Sequence, residues 1–416
     1  MSESLTNDTK AILLLCGFFG EKRVEKPLSL GEYTVLARWL KNNNMYPRDL
    51  LQEENAIVAS RGSGIEEIRL KSLLDRGFVL GVAVEEWKRN GIWVLSRSDS
   101  DYPTRYKKRL GEKSPPILYG VGDRSLLKGG GLAMVGSRNV DREGEDFTRR
   151  VAEMCATRGM PVVSGAARGV DRIAMVAALE ARGIAIGVLA GDLLKKSVEK
   201  DYRNAISEGR LLLISPYNPN APFSVGAAMG RNKLVYSMSS YCLVVSSDYE
   251  KGGTWAGAKE ELKRKKPLPV FVRSGDNVPK GNLELLKLGA AVWPKSIDRD
   301  SFYQELKRSF FKSKSIQPVE NLLPLDFKDE DSSKKDTMKN RVSVPKVPSS
   351  IYQAVLPVIL GALREPMSSK DLAAKLDVGK GQLDKWLKRA VDEDKKVVKL
   401  KGPVRYQSVD SLESST

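Results

Sequence analysis

The sequence predicts an α/β protein built on a Rossmann-like, doubly wound and mostly parallel sheet, and three observations carry that prediction. First, from Ile92 to Pro294 short apolar runs alternate with amphipathic stretches, the rhythm of strands and helices that cover both faces of a sheet. Second, two of these runs, in Leu132-Ala-Met-Val-Gly-Ser-Arg and Pro161-Val-Val-Ser-Gly-Ala-Ala-Arg-Gly-Val-Asp, break off at small residues and an arginine before an amphipathic stretch. A parallel strand feeds a helix in this way, and the open turn suits an anion, because helix N-terminal amides, glycine and arginine all favour phosphate. Third, the flanks lack this rhythm and read as helical modules.

Taken in order, residues 1–91 form a helical N-terminal region, with apolar residues at three-to-four spacing in Tyr33–Leu40 and Ile65–Leu74 and a break at Arg61-Gly-Ser-Gly. Such modules contact protein or DNA, or merely pack on a neighbour, and the sequence leaves both open. Ala11–Phe19 is too short to span a bilayer, and Glu3 and Asp8 spoil a signal peptide, so it reads as a buried helix of a cytoplasmic protein with no membrane contact.

The central domain spans residues 92–312. Its expected strands are Leu132–Val135, Pro161–Val163, Ala185–Leu189, Leu211–Ile214, Tyr241–Val245 and Leu268–Val272, and its helices include Glu143–Thr157, Val170–Ala181 and Thr254–Arg264. A polar, charged and Pro-punctuated linker follows over 313–349. Residues 350–408 then read as three helices and a basic hairpin turning at Gly402-Pro403, the layout of a winged helix. A small helical protein-interaction module fits the same pattern. If the tail touches DNA, Lys385, Lys388, Arg389, Lys399 and Lys401 are its candidate contacts.

Composition narrows the chemistry. The 416 residues carry 69 Lys and Arg against 52 Asp and Glu, a net charge of +17 that points to a polyanionic partner or serves solubility alone. There is no histidine, which excludes a Ser-His-Asp triad, a Cys-His pair and any His-ligated metal. The three scattered cysteines, Cys16, Cys155 and Cys242, read as reduced core thiols. Neither a G-x-G-x-x-G turn after the first strand nor a Walker lysine motif occurs, so no cofactor and no metal is expected.

Four clusters fall at strand ends or in nearby loops: Gly136-Ser137-Arg138; Ser164-Gly165 with Arg168-Gly169 and Asp171; Gly230-Arg231-Asn232-Lys233; and Lys251-Gly252-Gly253-Thr254. Each offers amides or cations to a phosphate. Each alone is also explained as a tight turn. Asp171 is a helix cap, an arginine clamp or an acid–base group, and Trp255 stacks a base or packs in the core.

At these residues the chain resembles the DNA-processing protein A (DprA/Smf) family, within the fold group that also holds the LOG nucleotide hydrolases. The resemblance runs over 92–292, through Asp101-Tyr-Pro, Pro115-Pro-Ile-Leu-Tyr-Gly-Val-Gly, Val135-Gly-Ser-Arg, Ser164-Gly-Ala-Ala-Arg-Gly-Val-Asp, Ala177-Ala-Leu, Ile186-Gly-Val-Leu-Ala-Gly, Gly230-Arg-Asn-Lys and Gly252-Gly-Thr. It implies a non-enzymatic protein, often dimeric, that binds single-stranded DNA in a basic pocket and helps load a RecA-type recombinase. Arg138, Ser164, Gly165, Arg168, Arg231, Asn232 and Lys233 would form that pocket, beside a turn at Gly252, Gly253 and Thr254. Met175 stands where the family has histidine, Ser215-Pro216 where it has Ser-Glu, and Ser246-Ser247-Asp248 where it has Glu-Ala. These departures mark a divergent branch, and relatives in phage defence act as antitoxin to a phosphoribosyltransferase-like toxin.

Two other readings stay open. Gly252-Gly-Thr followed by Glu260 and Glu261 loosely resembles the LOG loop, which would make the protein a nucleotide sensor or an N-glycosidic hydrolase. Against this, both glutamates read as an exposed helix face beside Lys259, Lys263 and Arg264. The third reading is a pure interaction protein for a toxin or recombinase.

Overall fold

The computed structural model describes residues 5–19 and 25–294, parts of 302–310, and most of 351–409. They fall in two compact units, one within Met1–Leu323 and the other within Pro324–Thr416. The linker expected over 313–349 lies outside the described residues.

The first unit is a nine-stranded sheet with helices on both faces. The strands are β1 (Trp93–Ser96), β2 (Ile117–Val121), β3 (Leu132–Gly136), β4 (Val162–Ser164), β5 (Ala185–Val188), β6 (Leu211–Ser215), β7 (Tyr241–Ser246), β8 (Val270–Val272) and β9 (Ala291–Val292). Their order is β1-β2-β6-β5-β4-β3-β7-β8-β9. Only the β1–β2 and β2–β6 pairs are antiparallel, so the sheet is mostly parallel, as expected. All six strands read from apolar runs are present within a residue or two of their expected bounds.

Among the described residues five α-helices precede the sheet, α1 (Asn7–Cys16), α2 (Leu30–Asn42), α3 (Glu53–Ser63), α4 (Glu67–Leu74) and α5 (Gly77–Arg89), with a 3-10 turn at Pro47–Leu51 between α2 and α3. The break at Arg61-Gly-Ser-Gly falls later than its first residues imply, because α3 runs to Ser63 and stops at Gly64, where φ is +71°. The apolar run in α1 is buried, and Thr9 ties it to the end of β1 by bonds to Ser96 Oγ (2.8 Å) and Asp99 Oδ2 (2.7 Å). These helices share a core with Ile117, Tyr119, Leu211 and Leu213 of β2 and β6.

Within the sheet region, α6 (Thr104–Leu110), α7 (Arg142–Thr157), α8 (Val170–Glu180), α9 (Leu193–Ser197), α10 (Lys200–Ser207), α11 (Val225–Met238), α12 (Gly252–Leu262) and α13 (Lys280–Lys287) follow in order. Strand alternation splits the buried side chains between two faces. Val163, Ile186, Leu212, Cys242 and Val244 pack under α6, α11, α12 and α13, while Leu132, Met134, Val162, Leu243 and Phe271 pack under α7 and α8.

The second unit holds α14 (Ile351–Ala362), α15 (Ser369–Lys375), α16 (Lys380–Asp392) and an antiparallel pair, β10 (Val397–Leu400) with β11 (Arg405–Ser408). Ile359, Leu363, Leu372, Leu383, Leu387 and Val397 form its core. Among the described residues no helix is long and apolar enough to cross a membrane.

Candidate nucleic-acid interface

Strand order reverses at β3, which has β4 on one side and β7 on the other. In open α/β sheets the carboxyl ends at such a reversal leave a crevice. A cleft of about 400 Å³ lies there, lined by Gly136 at the end of β3, Ser137 and Arg138 after it, Asp171 of α8, Val225, Ala228, Met229, Arg231 and Asn232 of α11, and Lys251 to Thr254 at the start of α12. Three of the four sequence clusters thus meet, together with Asp171 from the other. Ser164, Gly165, Arg168, Gly169 and Lys233 do not line it.

Those five act behind or beside it. The Ser164 hydroxyl donates to the Met134 carbonyl at 2.6 Å, joining β4 to β3. Gly169 has φ +84°, and a β-carbon there would stand 2.4 Å from the Ser137 carbonyl oxygen, so the backbone runs close under the β3 turn. Arg168 is exposed and donates to Asn139 Oδ1. Lys233 lines a separate apolar cavity against Pro216, Tyr217 and the N-terminal helices.

The cluster Gly230-Arg231-Asn232-Lys233 requires a correction. It is neither a strand end nor a turn but the interior of α11. Ser224 caps that helix by accepting from the Ala227 amide at 3.1 Å, and Gly230 leaves room for the Tyr217 hydroxyl, which would sit 3.2 Å from a β-carbon. Helical spacing sends Arg231 and Asn232 into the cleft and Lys233 elsewhere.

Arg231 forms the cleft floor and is only 4% exposed. Its Nη1 lies 3.8 Å from Asp171 Oδ2, so Asp171 is an arginine clamp. Burial pushes the Asp171 carboxyl above the usual carboxylate range, opposed by the Arg231 charge and the amides of Ala167 and Gly165. Burial likewise lowers the Arg231 guanidinium, which remains cationic at neutral pH. Arg231 Nε has no hydrogen-bond partner among the described residues. The positive charge of this guanidinium, which lines the cleft, favours an anion there.

The walls add charge and dipole. Lys251 is exposed and makes no ion pair among the described residues, and no side chain caps the N-terminus of α12 behind it. The first amides of that helix, on Gly252, Gly253 and Thr254, are therefore free to face an anion. Asn232 Nδ2 donates to the Gly253 carbonyl at 3.1 Å and sets α11 against this turn. Arg138 is exposed, with its guanidinium 5.1 Å from the centre of the Phe223 ring. Phe223 (43% exposed), Val225 (71%) and Met229 (48%) put apolar surface at the rim.

Several contributors had no sequence signal. Arg273 is buried, donates from Nε to the Val245 carbonyl (3.1 Å) and pairs with Asp141 (3.0 Å), the N-cap of α7. Asn282 accepts from the Ser247 amide and donates to the Val245 and Arg273 carbonyls, fixing the loop after β7. Trp255 is a core residue, edge-on to Tyr249.

A second correction concerns Glu261. It is 1% exposed, not part of a solvated face, and binds Arg109 and Arg264 while accepting from the Leu268 amide at 2.8 Å. Glu260 is exposed, and neither glutamate lines the cleft. The carboxylates invoked for N-glycosidic cleavage are thus not placed to act on a molecule held there. In the tail, Lys385 and Lys388 are exposed on α16, Arg389 stacks over Tyr352 at 4.5 Å, and Lys399 is exposed on β10. Lys401 lies outside the described residues.

Comparison with known proteins places the fold among known ones. The family model for DNA recombination-mediator protein A matches residues 93–305. The DNA processing protein DprA of Bacillus subtilis (strain 168) is 27% identical over 213 residues, covering 50% of this chain and 70% of that one. Protein Smf of Escherichia coli (strain K12) is 34% identical over 140 residues, 33% of this chain and 37% of that one. The crystal structure of DNA processing protein A from Streptococcus pneumoniae matches with a TM-score of 0.53 at 19% identity, over 70% of this chain and 95% of that one, a likeness of fold.

Proposed function

This chain belongs to the DNA recombination-mediator protein A family, and on that premise we propose that it binds single-stranded DNA non-catalytically in the cleft at the carboxyl ends of β3 and β7. The observation that carries the proposal is Arg231, a buried guanidinium on the cleft floor with an unpaired Nε. A backbone phosphate would meet the cleft-facing edge of that guanidinium together with the α12 amides, and Arg138 and Lys251 would neutralise its neighbours.

Single strands are favoured over duplex by the size and lining of the cleft. A space of about 400 Å³ admits a nucleotide or two but not a double helix. Unstacked bases would find the exposed surface of Phe223, Val225 and Met229 at the rim, a platform without sequence preference. In the second unit, Lys385, Lys388 and Lys399 are proposed as further phosphate contacts, raising avidity through the tether.

The test is binding of a labelled single-stranded oligonucleotide and its matched duplex by wild type and by Arg138→Glu/Lys251→Glu. Both side chains are exposed, so the fold is not put at risk. Preferential, salt-sensitive single-strand binding lost in the double variant supports the cleft; equal binding by both proteins removes it.

A further inference from the structure

The net charge is not spread evenly. Residues 104–113 carry five cations and one acid, and residues 259–266 carry five cations and two acids, a net +7 of the chain's +17. The fold brings these two segments together. Buried Glu261, near the end of α12, pairs with Arg109 of α6, and with Arg264 at 3.2 Å. Arg264 also donates to the Arg109 carbonyl at 3.3 Å. One carboxylate thus clamps two arginines and fixes the last turn of α6 against the last turn of α12.

Around this clamp Lys107, Lys108, Lys263, Lys265 and Lys266 are exposed, and none forms an ion pair among the described residues. Complementing two helix C-termini explains one or two lysines. It does not explain five, which repel one another at a cost that an anionic partner would remove.

We propose that this junction is a second nucleic-acid contact, which takes the phosphates of the same single strand after it leaves the cleft. The path is short. The helix α12 starts in the cleft at Gly252 and ends at the junction at Leu262, so its 11 residues span about 16 Å. A stacked strand, at about 3.4 Å per phosphate, covers that in roughly five nucleotides. This proposal rests on the cleft reading for its starting point, and its test separates the two.

Binding of a four-nucleotide and a fifteen-nucleotide oligo(dT) is measured against salt for wild type, for Lys263→Glu/Lys265→Glu/Lys266→Glu, and for Arg138→Glu/Lys251→Glu. In wild type the long oligonucleotide should bind more tightly, with a slope of log affinity against log salt steeper by about 2, from three phosphate contacts at about 0.7 each. The lysine variant should lose that increment, and on the order of tenfold in affinity for the long oligonucleotide, while binding the short one as wild type does. Unchanged long-oligonucleotide binding and slope in the lysine variant overturn the junction. Long binding that depends on the lysines but not on Arg138 and Lys251 supports the junction and overturns the cleft. Failure of wild type to bind either oligonucleotide overturns both.

Discussion

A β-carbon on Gly165 would stand 1.3 Å from Arg231 Nη1, so the guanidinium on the cleft floor occupies the space that glycine leaves open. Together with the clamp to Asp171, this means that the loop after β4 and the middle of α11 are shaped around one side chain. Gly165→Ala should therefore displace Arg231. We expect a loss of about 1–3 kcal/mol, as for an overpacked core, and weaker single-strand binding. Denaturant melts and oligonucleotide titrations check this, and a variant with wild-type stability would show that the guanidinium sits elsewhere.

Arg231→Met should be more damaging, because it strands a buried carboxylate at a cost of about 3–5 kcal/mol. The pH dependence has a definite sign. Burial already raises Asp171 above its ordinary value, and removing Arg231 raises it further. A folded state that holds its proton more tightly than the unfolded chain loses stability as pH rises through the interval between the two pKa values. The deficit should thus be largest near neutral pH and shrink on acidification. Adding Asp171→Asn should restore most of it at neutral pH. Urea midpoints at pH 7 and pH 4.5 test this, and a deficit that grows toward low pH would contradict the assignment.

Glu261→Ala should cost a similar amount, since it releases Arg109 and Arg264 within a largely buried site and leaves the Leu268 amide unpaired. Its effect should be on stability. Short-oligonucleotide affinity of the folded fraction should stay within about threefold, because Glu261 does not line the cleft. A stable variant that alters turnover of a nucleotide would instead place this carboxylate at a reacting centre.

Glu32 offers a control remote from the cleft. Its hydrogen bonds to Arg69 and the Ser29 amide hold its carboxyl down at about 2. A depressed folded-state pKa means stability that is present above the unfolded value near 4.5 and lost as pH falls toward 2. Because the side chain is 38% exposed, solvent screening holds the contribution to about 1 kcal/mol. Glu32→Gln should be less stable than wild type at pH 7 and converge with it near pH 2, by thermal melts at both.

The sheet was legible from the sequence because fully buried parallel strands leave unbroken apolar runs such as Leu211–Ile214 and Tyr241–Val245. The turns at Gly136-Ser137-Arg138 and Lys251-Gly252-Gly253-Thr254 were legible because glycine after a strand has few other uses. Arg231 was legible as a candidate residue that lines the cleft, but not as a helical one. The α11 helix is buried at its end and exposed at its start, so it lacks an amphipathic period, and Gly230 reads locally as a break. Glu261 was misread for a different reason. Its partner Arg109 lies 152 residues away, and no local pattern reports a long-range ion pair. Arg273 and Asn282 were silent for the same reason, because Arg273 is held by the Val245 carbonyl and the Asp141 carboxylate, and Asn282 by the Ser247 amide and the Val245 carbonyl, all distant in the sequence.

The most direct measurement is single-strand affinity at two salt concentrations for wild type and Arg138→Glu/Lys251→Glu, with matched duplex as competitor. The account predicts that wild type prefers the single strand and weakens steeply with salt, and that the double variant loses about 1.4 in the salt slope, from two contacts at about 0.7 each. A wild type that binds duplex and single strand alike, with a slope unchanged by the double substitution, would contradict it.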